Sequence, residues 1–143
     1  MSVTFYVDKD LDLVVAVAGG VVTAEEVIAG VGKVFEESRG AAFFMNHLFE
    51  IEPNAVGSLI DLKALFRIRR FLEEWGAKHP GRNVRTVFLL PDEKTMAGVI
   101  EVWRAVNKEA ANYKVDMRIM SDRAAAIAWL TEAKKKPAAT PAL

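Results

Sequence analysis

The sequence contains no cysteine. Disulfides, thiolate nucleophiles and cysteine-based metal sites are therefore excluded. It has two histidines, His47 and His79. They are not at metal-ligand spacing, and no HxxxH or similar zinc pattern occurs. The GxSxG, P-loop and GxGxxG signatures are also absent. Gly19-Gly20 and the Gly30/Gly32 pair do not follow a strand as phosphate-cradling loops do, and the pair falls inside a helix, where close packing is the simpler reading. No apolar run approaches the ~20 residues of a membrane span. Neither sign of charge dominates: 19 basic residues face 19 acidic ones, and no basic run is interleaved with aromatics. Nothing pulls the chain toward nucleic acid. The opening MSVTFYVDKD lacks a basic segment followed by an apolar stretch, so no secretory signal is expected and the cytoplasm is the expected location.

The 143 residues, 52% of them apolar, are enough for one domain with a real core. TFYVD (4–8) and LVVAVAG (13–19) read as strands joined by a tight polar turn, an antiparallel hairpin. Thr23-Ala-Glu-Glu26 has the form of a capping box, opening a helix whose face carries Val27, Ile28, Val31, Val34 and Phe35. The stretch 42–51, AFFMNHLFEI, reads as a strand buried on both faces. A long helix is predicted from about Ser58 to Ala77, with Ser58 as its cap. A strand follows at 84–90. Asp92 is the expected cap of a third helix bearing Met96, Val99, Ile100, Trp103 and Val106. Another strand spans 113–120, and Asp122 caps a last helix, RAAAIAWLTEAKKK. Residues 134–143, ending in PAATPAL, are expected to form a low-complexity tail outside a single domain of residues 1–133. The order ββαβαβαβα implies an α/β fold: a mixed, mainly parallel five-stranded sheet with four helices.

The second helix is unusually apolar. Ile60, Ala64, Leu65, Ile68, Phe71, Leu72 and Trp75 fill one arc, and Leu59, Leu62 and Phe66 widen it beyond the ~100° stripe of a surface helix. Such a helix needs cover from neighbouring helices, from another molecule, or from a ligand. Lys63, Arg67 and Arg70 form a small basic ridge, read either as a solvated face or as a contact for an anionic partner. Trp75, Trp103 and Trp129 sit at apolar positions of three helices and read as core.

Glu50 and Glu52, with Asp61 and His47 nearby in sequence, are the only candidates for acid–base or metal chemistry. Solvated turn carboxylates and a satisfied structural histidine are the simpler readings. No metal, cofactor or catalytic residue is expected. Ser58 is a possible phosphorylation or turn site, because a helix start that accepts a hydroxyl also favours phosphate.

Three stretches carry a family likeness: TFYVDKDLDLVVAVAGGVVTAEEV, GRNVRTVFLLPDEKTMAGVIEVWRAV, and VDMRIMSDRAAAIAWL with its Ala128-Trp129-Leu130 ending. Over nearly residues 3 to 131 the chain resembles the SpoIIAA-like group, the fold of STAS domains and a relation of the lipid-binding CRAL-TRIO architecture. It looks most like small bacterial proteins of that group. STAS regulators carry their phosphorylatable serine in a turn before the second helix. The matching stretch here is Asn54-Ala-Val-Gly-Ser58, with glycine before the serine instead of after it. The resemblance, taken with the unusually apolar second helix, implies a non-catalytic module acting by protein–protein contact, through Leu62, Phe66, Arg67 and Arg70 and the 52–58 turn, with a protein partner or a second copy of itself, a homodimer. The alternative is a module that binds a small apolar or lipid-like ligand between the second and third helices.

Overall fold

The hairpin read from TFYVD and LVVAVAG forms one edge of the sheet. In a computed structural model, which describes residues 2–135, β1 (Val3–Asp8) pairs antiparallel with β2 (Leu13–Ala18). The turn between them places Asp12 in the left-handed region, and the Asp8 carboxylate accepts the Leu11 amide at 3.1 Å. The chain then runs through α1 (Ala24–Glu37), β3 (Asn46–Ile51), α2 (Leu62–Lys78), β4 (Asn83–Leu89), α3 (Ala97–Lys108), β5 (Lys114–Met120) and α4 (Arg123–Lys135). Strand order in space follows strand order in sequence, and every pair after the first is parallel. The expected α/β class, five-stranded mixed sheet and four helices are present. The expected tail from residue 134 onward lies outside the described residues, except that α4 continues through 135.

Because each crossover moves one strand further in the same direction, α1, α2 and α3 stack over one face of the sheet. Their buried residues, among them Val31, Phe35, Leu65, Ile68 and Ile100, join Val14 and Ala18 in one core. The chain then turns back, and α4 covers the other face with Ala126, Trp129 and Leu130 against Leu13, Val15, Leu48 and Val87. Alternation along β2 explains the division: even-numbered residues face the three helices, odd-numbered ones face α4. Trp129 is held between two guanidinium groups, Arg118 at 4.2 Å and Arg85 at 4.8 Å from its ring. Of the three tryptophans it alone is buried; Trp75 and Trp103 are partly exposed.

Several local expectations need correction. Residues 41–44 are a 3-10 turn rather than strand, entered through Gly40 at φ 87°. They are apolar because Ala42 and Phe43 are wholly buried, and a short apolar run has no period to separate the two forms. Ser58 lies exposed in a turn, and Asp61 caps α2, accepting the Ala64 amide at 2.8 Å. Asp92 does not cap α3 either. It closes its own turn on the Lys94 and Thr95 amides, each at 2.7 Å, and α3 begins after Met96 at φ 59° without a side-chain cap. Thr23 does cap α1, but the Glu26 carboxylate reaches Ser2 instead of closing the box. Gly30 does permit close packing: a Cβ there would lie 2.3 Å from the Phe5 ring.

Candidate ligand cavity

Strand register lays two rows of side chains across the face beneath α1, α2 and α3. One row runs Phe5, Ala16, Phe49, Phe88, Ile119; the next runs Val7, Val14, His47, Thr86, Met117. In the first row Phe5 meets Phe49 edge-on at 5.7 Å, and Phe49 stacks on Phe88 at 5.1 Å. Above these rings the helices close only partly. Val27 and Val31 of α1, Leu65, Ile68 and Leu72 of α2, and Ile100 and Trp103 of α3 roof a cavity of about 110 Å³. The space lies under all three helices and is floored by the sheet, rather than between the second and third helices alone.

The cavity has two unlike ends. Toward the carboxyl ends of the strands its walls are Ile51, Ile60, Met96 and Val99. Toward the amino ends they include His47, Arg82, Thr86 and Asn107. Arg82 immediately precedes β4 and, by alternation, shares a face with Thr86 and Phe88. It is only 4% exposed, and His47 only 8%. The Arg82 Nε donates to the Phe43 carbonyl at 2.7 Å. Its guanidinium lies over the rings of Phe43 at 4.8 Å and Tyr113 at 5.3 Å. Among the described residues, Arg82 Nη1 and His47 Nε2 are buried without a hydrogen-bond partner, and no carboxylate forms a salt bridge with Arg82.

Burial acts on both groups. It pulls the His47 pKa down to about 3, helped by the charge of Arg82 and opposed by a hydrogen bond with the Ala42 backbone. His47 is therefore neutral at pH 7. Burial also lowers Arg82, to about 10, which still leaves it charged. Tyr113 is pushed up, chiefly by burial, and its hydroxyl donates to Asn107 Oδ1 at 2.5 Å. The polar end of the cavity thus holds one buried cation and one neutral imidazole in an otherwise apolar space.

The residues singled out in the sequence lie elsewhere. Glu50 points to the α4 side, where it pairs with Arg123 at 3.3 Å. Glu52 is exposed, with its carboxylate against Gly19, so the two glutamates do not form an acid–base pair. Among the described residues no three His, Asp or Glu side chains are grouped closely enough to hold a metal ion. No described helix is long and apolar enough to cross a membrane. Arg67 is tied to Glu25 of α1 at 2.8 Å, a bond that holds the Glu25 carboxyl below its ordinary range. Arg70 and Lys63 are exposed. Leu62 and Phe66 are 53% and 43% exposed, so neighbouring helices do not wrap this part of α2; the Arg69 guanidinium lies 4.9 Å from the Phe66 ring.

His47 was read from sequence as a satisfied core residue, but its Nε2 is not satisfied. Arg82 carries no motif in the sequence, since it stands directly after the KHPG that closes the second helix. The signal in the sequence is the alternation Arg82-Val84-Thr86-Phe88, which places the arginine on the core face two residues before the strand expected at 84–90. No protein-family model, curated protein or solved structure matches the chain.

Proposed function

We propose that this protein is a non-catalytic binding module of the STAS-like kind that takes a small, largely apolar molecule into the space between its sheet and α1, α2 and α3. The observation that carries this reading is the cavity itself: about 110 Å³, apolar along most of its wall, with a few convergent polar groups at one end. Ligand sites have this make-up. An apolar cavity of ~150 Å³ accepts a benzene-sized guest, so the natural occupant is of that order or smaller. Native mass spectrometry of the protein purified from its own cells tests the reading. The expected spectrum carries a reproducible small added mass that disappears on unfolding. A spectrum of the bare chain from several preparations contradicts it.

The exposed apolar residues of α2 favour a second reading, contact with a second copy of the chain. Leu62 and Phe66 stand one turn apart and, with Leu59, Val21 and Val56, are more exposed than large apolar side chains usually are. On this reading, L62E/F66E abolishes self-association at micromolar concentration in sedimentation velocity. Identical profiles for the two proteins remove it.

A further inference from the structure

We infer that the cavity selects a small carboxylic acid, its carboxyl group held by Arg82 and His47 and its hydrocarbon body lying against the Phe49 and Phe88 rings. This rests on the reading of the cavity as a ligand site and adds the chemistry of the ligand's head.

The argument begins with charge. A guanidinium removed from water loses solvation that only an opposite charge or a full set of hydrogen bonds restores. Arg82 is 4% exposed. One of its groups is bonded to the Phe43 carbonyl, and two rings lie against it. Among the described residues its Nη1 has no acceptor, and the structure pairs it with no carboxylate. A cation lining an interior space in this condition is complementary to an anion that enters that space.

The second unpartnered atom narrows the class. His47 is among the residues that line the same cavity, and among the described residues its Nε2 is the other buried atom without a partner. An imidazole nitrogen donates or accepts according to where its proton sits. A carboxylate satisfies both atoms when the imidazole proton sits on Nε2: one oxygen accepts from Arg82 and the other accepts from the Nε2–H. A guanidinium and a carboxylate also match in plane and spacing. A neutral alcohol leaves the buried charge unbalanced. A phosphate brings a second negative charge that a single arginine does not balance. Beyond the head, the rings of Phe49 and Phe88, stacked at 5.1 Å, give a flat apolar floor for a short branched or aromatic body.

Isothermal titration calorimetry with isovalerate and with its uncharged counterpart isoamyl alcohol tests the inference. The wild type is expected to bind the acid at least about tenfold more tightly, the low end of what a hydrogen bond to a charged group contributes. In Arg82→Met the body of the site remains and the preference for the acid disappears. The wild-type comparison needs no variant, so the test stands even where R82M fails to fold. Equal wild-type affinities for acid and alcohol overturn the carboxylate inference and leave the cavity reading intact. A preference for the acid that survives in folded R82M overturns the role of Arg82. If neither compound binds and xenon does not enter the protein, the underlying cavity reading falls, and this inference with it.

Discussion

Phe35→Ala is expected to lower the unfolding free energy by about 3–5 kcal/mol, the range for truncating a fully buried phenylalanine. Phe35 is 0% exposed and is the hub of the aromatic cluster at the amino ends of the strands. Its ring lies 5.3 Å from Phe43, 5.1 Å from Trp75 and 6.4 Å from Phe71, with His47 at 6.3 Å. One side chain thus ties α1, the 3-10 turn, α2 and β3 together. Alanine removes the apolar area and leaves a hole that four separate elements cannot close at once. Phe44 is the control. It is the next residue along the turn, 45% exposed, and touches only the edge of this cluster at Phe43. Phe44→Ala should change stability by less than about 1 kcal/mol. Urea denaturation of the two variants checks the pair, and equal losses would show that the cluster does not organise this end of the fold.

The second large effect is a dependence on pH. His47 is a base whose pKa falls to about 3 in the fold, against about 6.5 in an unfolded chain. Below pH 6.5 the unfolded chain takes up a proton that the folded protein refuses. The stability contributed by neutral His47 is therefore complete above pH 6.5 and declines as pH falls toward 3. The slope approaches that of one proton, so roughly 2 kcal/mol is lost between pH 6.5 and 4.5. The groups facing His47 are Arg82, which stays charged across this window, and the Ala42 backbone. The carboxyls of Glu25, Glu26 and Asp92, lowered in the fold by their hydrogen bonds, add their own loss at more acid pH, which is why the window stops at 4.5. Urea midpoints at both pH values should show the loss in the wild type and a slope flatter by one proton in His47→Leu. Parallel slopes would mean that the folded protein protonates His47 as readily as the unfolded chain does.

The elements and their order were legible because the strands are rich in β-branched and aromatic residues and the helices carry apolar faces. β1 and β2 are rich in β-branched residues and are joined by the polar turn that closes a hairpin, and Thr23 caps α1 as its spacing implies. Legibility failed where two signals competed. Ser58 and Asp61 both suit a helix start, and only packing chose Asp61, since Ile60 must be buried before the helix begins. Asp92 has the residue type of a cap, but its own turn takes the carboxylate first. The cavity itself was not legible. The breadth of the apolar arc on α2 signalled a helix with more apolar surface than one sheet face takes, and Leu65, Ile68 and Leu72 of that arc do roof the cavity. The polar end was hidden because Arg82 reaches the interior from a loop position, and His47 alone looks like any core histidine. Two residues thirty-five apart become a pair only when β3 and β4 lie side by side.

That arrangement makes one measurement decisive. In methyl NMR spectra recorded while xenon is titrated in, the isoleucine methyls that line the cavity, those of Ile51, Ile60, Ile68 and Ile100, should shift saturably. The methyl of Ile127, which belongs to α4 and packs against the cluster on the opposite face of the sheet, should stay where it is. Saturable shifts confined to the first four establish an interior space that accepts a small apolar guest. Spectra in which none of them moves, or in which Ile127 moves with them, would contradict the account.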